Sequence, residues 1–216
     1  MKSSLSTALG CFAFIAAFVG IALVIGSSGG RDGEYFLDLV NRSSKDAVVQ
    51  VSDLKEPIVL KAEEIRIFHV EEQDKKRFGE EREFTIKSGD RTDKIKSKVV
   101  YRGHTVVDVT GDTNVVMVDY GRMYRPADTD LAPKEKDAVI VAKFKHPARV
   151  YPVDVMDPAD KEHHYSIKYG LGETLPKSIK VSRVGKRKYP EVVRLLVVPG
   201  DVIDRVEVLD DYVRTH

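Results

Sequence analysis

One uncharged run near the start constrains this chain more than any other feature. It extends from Ala8 to Gly26, ALGCFAFIAAFVGIALVIG, and Cys11 is its only polar side chain. A helix of this length, at about 1.5 Å per residue, is roughly 28 Å long, which nearly matches the ~30 Å hydrocarbon core of a membrane. The sequence therefore predicts a transmembrane anchor with a short Gly/Ser linker over residues 1–30, followed by the rest of the chain outside the membrane.

A cleaved secretory signal is the main alternative for this segment. Lys2 supplies a basic start, and the small residues 26–30 resemble a cleavage site. However, a signal usually has about 7–15 apolar residues, and this run is longer and rich in bulky side chains. A lipidated cysteine would follow the apolar stretch, whereas Cys11 lies near its beginning. We therefore expect the helix to be retained.

The charges beside the run predict its orientation. Lys2 precedes it, while Arg31 is followed at once by Asp32, so only the upstream flank is positive. By the positive-inside rule, the N-terminus lies in the cytoplasm and residues 31–216 lie outside. In a bacterium this means the inner membrane, with a periplasmic domain.

Small residues lie three or four positions apart within the run. Such spacing lets a second membrane helix approach closely, although Ala and Gly are common in any membrane helix. Both a partner helix and contact with lipid alone remain open. The residues concerned are Ala13, Ala16, Ala17 and Gly20.

Composition excludes several classes of function for the outer segment. The chain has 35 Lys plus Arg, of which one is Lys2, and 34 Asp plus Glu, so residues 31–216 have no net charge. Nucleic-acid binding, which needs a cationic surface, is therefore not expected. Cys11 is the only cysteine, which excludes disulfides, Cys-ligated zinc and covalent c-type haem from the outer segment. We expect no cofactor.

The outer segment is predicted to be mainly β. Short apolar runs recur about every 8–12 residues with turn signals between them, as in sandwiches and barrels. This strand rhythm is similar to that of immunoglobulin-like envelope modules. We expect a β-sandwich domain over residues 31–125. The Pro-containing segment 126–137 begins the rest of the chain. Residues 126–216 are either a second small β domain or an extension of the first.

The end of the chain allows two interpretations. The apolar run Val192–Val198 predicts a central strand, and Pro199-Gly200 predicts a turn. After this turn, apolar residues fit one face of a helix with Asp201 as N-cap, but their β-branching favours a strand. We expect a strand over Val202–Leu209.

One loop carries candidate metal ligands. Carboxylates and imidazoles cluster between residues 154 and 164, a composition that suits zinc or a hard cation. The spacing does not match an EF-hand loop, and a polar surface loop begun by Asp157-Pro158 is the simpler interpretation. The candidate ligands are Asp154, Asp157, Asp160, His163 and His164.

Two further segments resemble binding motifs. The segment 170–178 imitates phosphate-binding loops but has Leu175 and Pro176 where glycines are required, so we expect an ordinary loop. A basic stretch predicts a cationic face for an acidic partner, although charge runs are usually solvated. Its residues are Lys180, Arg183, Lys186, Arg187 and Lys188.

The chain carries no local signature of catalysis. His69 and His104 lie in strand-like segments, where we expect each side chain to be half-buried or at the surface and not catalytic. We expect a non-catalytic, single-pass membrane protein that contacts other proteins, as an accessory or assembly subunit of a membrane complex. The alternatives are a module that binds a ligand, glycan or metal, or an enzyme whose site is assembled only in the fold.

Overall fold

The computed structural model describes residues 33–71, 80–100, 102–124, 137–145, 148–157, 160–179 and 190–216. These residues belong to one compact unit, Asp32–His216. The unit is mainly β, as predicted, with two short helices. The predicted anchor, Ala8–Gly26, lies outside the described residues. Within the described ranges, no helix combines the length and apolar character needed to cross a membrane.

Fourteen strands precede two C-terminal helices in the part of the chain that is described. In chain order the strands are β1 (Glu34–Val40), β2 (Ala47–Val51), β3 (Ile58–Leu60), β4 (Ile65–Glu71), β5 (Glu81–Ser88), β6 (Arg91–Lys98), β7 (His104–Asp108), β8 (Asn114–Asp119), β9 (Val139–Phe144), β10 (Val150–Val153), β11 (Met156–Asp157), β12 (Asp160–His164), β13 (Ile167–Tyr169) and β14 (Val193–Val198). The helices are α1 (Gly200–Ile203) and α2 (Val206–Thr215), and a 3-10 turn spans Gly121–Tyr124.

The strands form three four-stranded sheets and one hairpin. Sheet I has the order β10-β7-β1-β4, sheet II the order β3-β2-β5-β6, and sheet III the order β13-β14-β8-β9. Two neighbouring pairs are parallel, β1 with β7 and β13 with β14, and the others are antiparallel. Strands β11 and β12 pair as a separate hairpin.

Sheet I lies between the other two sheets. One of its faces packs on sheet II, where Leu37 and Leu39 share a core with Phe84. Its other face packs on sheet III, where Val106 and Met117 belong to one buried cluster. Because both faces of sheet I are covered, all five residues of β7 are buried, and this strand shows no alternation of polar and apolar residues.

Sheet III is covered in turn by the C-terminal helix. We call the side of sheet III that packs on α2 its helix face, and the side that packs on sheet I its inner face. On the helix face, Val116 and Leu196 pack with Leu209 and Val213 of α2. The fold is therefore sandwich-like, with an additional sheet and a helix layer.

The two predictions for the end of the chain differ in outcome. The central strand is confirmed, because β14 lies between β13 and β8. The prediction of a strand over Val202–Leu209 is wrong, because this segment contains the end of α1 and the start of α2. Leu209 and Val213 lie four residues apart, so a helix buries both of them on sheet III. That burial outweighs the preference of β-branched residues for strands.

Strands from both sides of residue 125 share sheets. β8 precedes this position but belongs to sheet III with β9 and β14, which follow it. Conversely, β10 follows it but belongs to sheet I beside β7. This exchange favours an extension of the first domain over a separate second domain, and the division at residue 125 stays a prediction.

Candidate interaction site

β9 is an edge strand with the composition of a central strand. It is the last strand of sheet III, and within the described ranges it pairs only with β8. Its sequence is VIVAKF, and every side chain except that of Lys143 is apolar and half-buried. Apolar side chains on both faces are typical of strands inside a sheet. The outer side of β9 therefore presents backbone hydrogen-bonding groups among apolar side chains.

The other edge strands of the described sheets are protected. β3 and β13 are only three residues long, and β10 contains Pro152. Short length, proline and charge are the usual protections against pairing with another chain. Charge protects the two longer edges, with Arg66, His69 and Glu71 on β4 and Arg91, Lys94, Lys96 and Lys98 on β6. β9 has six residues and no proline, and of the usual protections it carries one lysine and a bulge.

That lysine is turned away from the edge. The ammonium group of Lys143 donates to the carbonyl oxygen of Ile203 at 3.4 Å, at the end of α1. Lys145, just after the strand, forms an exposed ion pair with Asp204. Both contacts draw basic side chains towards the helices. The remaining irregularity of the strand is a bulge at Val141, where the register with β8 shifts.

Two of the five predicted metal ligands, Asp154 and His164, have side chains that the structure describes, and these two are in contact. The Nδ1 atom of His164 lies 2.7 Å from the Oδ1 atom of Asp154, and both side chains are about half exposed. The side chains of Asp157, Asp160 and His163 lie outside the description. Among the side chains that are described, no group of three or more His, Cys, Asp or Glu residues could hold a metal ion. The metal site stays a prediction.

The two predicted interaction surfaces also stay predictions. The small residues of the anchor and the basic stretch after residue 179 lie outside the described residues. They are Ala13, Ala16, Ala17 and Gly20 in the first case, and Lys180, Arg183, Lys186, Arg187 and Lys188 in the second.

The sequence did not indicate a buried acid–imidazole pair between sheets I and III. Asp38 on β1 is fully buried. His104 on β7 is 5% exposed, so the prediction of a half-buried or surface position is wrong for this histidine, whereas His69 is exposed. The Nδ1 atom of His104 lies 2.6 Å from Oδ2 of Asp38, and the amide of Leu171 donates to Oδ1 at 2.7 Å. A buried carboxylate requires such partners. The parallel pairing of β1 with β7 creates the contact, and no local spacing reveals that pairing.

Rings extend this pair across three strands of sheet I. Phe36 stacks on His104 and on His69, with centroid distances of 4.8 and 5.1 Å. The Nε2 atom of His69 lies 2.9 Å from a carboxylate oxygen of Glu34. A carboxylate on Nδ1 orients an imidazole, as it does in acid–base sites. Here the other oxygen of Asp38 accepts a hydrogen bond from the Leu171 amide, in the segment that follows β13. Both oxygens of Asp38 therefore have structural partners, which explains the pair without a catalytic role.

The loop that imitates a phosphate motif is occupied by the chain's own carboxylates. The amide of Gly170 donates to Oε2 of Glu173 at 2.8 Å, and the next amide, of Leu171, donates to Asp38. A phosphate-binding loop needs such amides for its ligand. The structure thus agrees with the prediction of an ordinary loop.

Polar side chains in and next to sheet III form hydrogen bonds with the last turn of α2. The hydroxyl of Tyr120 donates to the carbonyl of Val213 at 2.6 Å, and Arg194 donates to the carbonyl of His216. The last carbonyls of a helix have no partners within it, so these bonds satisfy them. Burial raises the pKa of Tyr120 to about 12 and lowers the pKa of Arg194 from its usual range.

Comparisons with known proteins add no relative. No family model matches the chain, and neither does any curated protein or solved structure. The function is therefore inferred from the chain's own residues.

Proposed function

We propose that the chain is a non-catalytic, single-pass membrane protein with an immunoglobulin-like extracytoplasmic β domain that binds other proteins. It serves as an accessory or assembly subunit of a membrane complex in the inner membrane. The run Ala8–Gly26 is the anchor, and Lys2 ahead of it keeps the N-terminus in the cytoplasm. The charge balance of residues 31–216 agrees with protein partners rather than nucleic acid.

The edge of β9 is the observation that carries the binding function. An extended segment of a partner can add to an open sheet edge, where main-chain hydrogen bonds supply affinity and side-chain contacts supply specificity. β9 has six residues and apolar side chains on both faces, so an added strand would bury apolar area as well as backbone groups. The charged, short or proline-containing edges elsewhere in the described sheets suit this role less well.

Site-specific cross-linking in native membranes tests the proposal. A photoreactive residue replaces Val139 in the full chain, and the matched control carries it at Val59, which is 48% exposed on the edge strand β3. We expect a discrete adduct with a membrane polypeptide from position 139 and none from position 59. We also expect Val141→Lys to abolish co-purification from mildly solubilised membranes, and Val59→Lys to leave it intact. Recovery of the bare chain alone, without adducts, contradicts the proposal.

Fractionation tests the anchor separately. We expect the full chain to stay in the membrane fraction after washing at high salt, with residues 1–30 still attached. A soluble mature chain that begins near Ser28 or Gly29 would show that the apolar run is a cleaved signal.

The contact between Asp154 and His164 favours a second candidate, a module that binds a metal or other ligand. A ligand that binds only the folded state raises its stability, by about 2.7 kcal/mol at a hundred times the Kd. Thermal unfolding of the full chain with zinc, calcium or cell-wall fragments measures this effect. We expect His164→Ala to remove any increase caused by zinc, and unchanged melting with all three additives rules the candidate out.

A further inference from the structure

We propose that the strand received by β9 is β9 of a second copy of this chain, paired antiparallel about a two-fold axis between Val141 and Ala142. The two copies of sheet III then form one continuous sheet. This inference rests on the proposed function only in using the β9 edge as the docking surface. It assigns this edge to a second copy, so the other subunits of the membrane complex bind elsewhere on the resulting dimer.

Symmetry restricts how a strand can pair with its own copy. A two-fold axis perpendicular to a sheet keeps every side chain on its original face, so opposed residues must point to the same side. In a regular strand successive side chains alternate, and opposed residue numbers must therefore add up to an even number. Full overlap of β9 with itself opposes residues 139 and 144, whose sum is odd. A regular strand of this length is therefore unable to pair with itself over all six residues.

The bulge in β9 removes this conflict. Ile140 opposes Val118 and Ala142 opposes Met117, so Val141 is the additional residue between them. One extra residue reverses the alternation for the rest of the strand.

The pairing with β8 and the buried clusters show the result. Even-numbered residues before the bulge now share a face with odd-numbered residues after it, and odd-numbered residues before it share a face with even-numbered residues after it. Ile140 and Lys143 lie on the helix face, whereas Val139, Val141, Ala142 and Phe144 lie on the inner face.

Full overlap consequently opposes only residues that share a face. The three kinds of pair are Val139 with Phe144, Ile140 with Lys143, and Val141 with Ala142 of the second copy. Two of these pairs are wholly apolar, and the third places the aliphatic part of a lysine against isoleucine. No like charges are opposed, which is a requirement for stable cross-strand pairs.

The charges at the ends of β9 select the antiparallel direction. Asp137 lies just before the strand and Lys145 just after it, and both residues are exposed. Antiparallel pairing brings Asp137 of one copy towards Lys145 of the other, which also pairs with Asp204 of its own chain. Parallel pairing would bring Lys143 and Lys145 of both copies together. The attraction acts within a Debye length of about 8 Å at physiological salt.

Disulfide trapping tests the partner and the register together. Because Cys11 is the only cysteine, Cys11→Ser gives a cysteine-free background in the full chain. Two differently tagged chains, one with Val141→Cys and one with Ala142→Cys, are co-expressed and mildly oxidised in membranes. Directly opposed residues have Cα atoms about 4.5–5.5 Å apart, within the range of about 4.4–6.8 Å for disulfides. We expect a disulfide-linked dimer that carries both tags.

Two controls make the result specific. Val139→Cys with Ala142→Cys shifts the register by two residues, and we expect at least ten times less cross-linking. Val59→Cys in both chains reports random collisions at another edge. Circular dichroism of each variant confirms that it is folded.

The outcomes separate this inference from the proposed function. Strong cross-linking of the 141–142 combination alone supports self-pairing in the stated register. Equal cross-linking of all combinations, or none, overturns it. If none occurs while the photoreactive residue at position 139 captures a different polypeptide, the second copy is excluded and the proposed function stands. If neither reagent captures anything, both proposals fail.

Discussion

At the level of single residues, the carboxylate of Asp38 connects three separate segments of the structure. It lies on β1, accepts a hydrogen bond from the Leu171 amide after β13, and contacts His104 on β7. A charge that is fully buried is costly unless its partners compensate for lost hydration. The connection between sheets I and III therefore depends on a group that tolerates little change.

Replacing Asp38 by asparagine tests this dependence. The amide side chain has nearly the same shape but no charge and only one acceptor oxygen, so either the Leu171 amide loses its acceptor or the His104 ring loses its anionic partner. We expect the free energy of unfolding to fall by about 3 kcal/mol. His69→Gln is the matched control, because His69 also stacks on Phe36 but pairs with Glu34 near the surface, and we expect a loss below about 1 kcal/mol. Urea denaturation of both variants measures the difference, and equal losses would contradict this account of Asp38.

Gly170 owes its identity to the same carboxylate. A Cβ atom at this position would lie 2.3 Å from Oδ1 of Asp38 and 2.6 Å from Cδ1 of Ile67. We expect Gly170→Ala to lower the free energy of unfolding by about 3 kcal/mol, because the loop must move away from Asp38. At Gly200 the nearest atom is 3.5 Å from such a Cβ, and we expect a change within about 1 kcal/mol for Gly200→Ala. Similar melting temperatures for the two variants would show that the loop yields easily.

Single residues also show where sequence reasoning stops. The sequence correctly indicated that His104 lies in a strand and that segment 170–178 is an ordinary loop. It did not indicate that Asp38, 66 positions away from His104, is its partner. Such a contact depends on which strands become neighbours, and the order of strands in a sheet leaves no periodic signal in the residues themselves.

At the level of elements, helix α2 shows how tertiary contacts decide an ambiguous segment. Its β-branched residues favour a strand, whereas the spacing of Leu209 and Val213 favours a helix. Sheet III decides the outcome, because its helix face needs an apolar cover and because Tyr120 supplies a hydrogen bond to the last turns. The strand prediction failed because the packing surface was not visible from the local sequence.

The buried hydroxyl of Tyr120 predicts how α2 responds to alkali. Burial raises its pKa to about 12, above the ordinary value of 10.0. Between these two pH values the folded state keeps the proton on Tyr120, whereas the unfolded state loses it. The contribution of Tyr120 to the free energy of unfolding is therefore fully present below about pH 10 and is lost as the pH rises through about 12. Burial also raises the pKa of Tyr151, which acts in the same direction.

We expect Tyr120→Phe to respond in two ways. Near pH 7 the variant is less stable by about 1 kcal/mol, since the hydrogen bond to Val213 is lost. Above pH 10 its stability declines less steeply than that of the unchanged chain, because one buried group no longer titrates. Denaturation at several pH values, together with tyrosinate absorbance, measures both effects. Parallel curves for the two proteins would contradict the role of Tyr120.

β9 presents the opposite relation between sequence and position. Its apolar sequence would ordinarily place it inside a sheet. The structure places it at the edge of sheet III instead. This mismatch, which a strand-by-strand interpretation of the sequence is unable to reveal, is the main reason to regard β9 as a contact surface.

At the level of the whole molecule, sheet I joins the two halves of the chain. The sequence predicted short strands in a sandwich. In the structure β7 and β8 are buried along their whole length, because a third sheet covers faces that a simple sandwich would expose to water. Because β10 and β8 belong to sheets built mainly from the other half of the chain, sheets I and III each combine strands from both halves, whereas sheet II comes from the first half alone. The described layers should therefore be stable only together.

Cooperativity of unfolding tests this interdependence. Phe84 is buried between sheets I and II, and Leu209 is buried between sheet III and α2, at opposite ends of the stack. We expect Phe84→Ala and Leu209→Ala to lower stability by about 3–5 and 2–5 kcal/mol respectively, each through cavity formation. In one cooperative unit both substitutions shift a single transition that is the same by circular dichroism and tyrosine fluorescence. Val208→Ala, at an exposed position of α2, is the control for loss of helix contacts. If Leu209→Ala instead released α2 and sheet III in an early separate transition, while sheets I and II melted as before, the molecule would consist of two domains. The second would be sheet III with α2, which includes β8 from before residue 125, because a complete core around sheets I and II, with β10 in it, would survive without them.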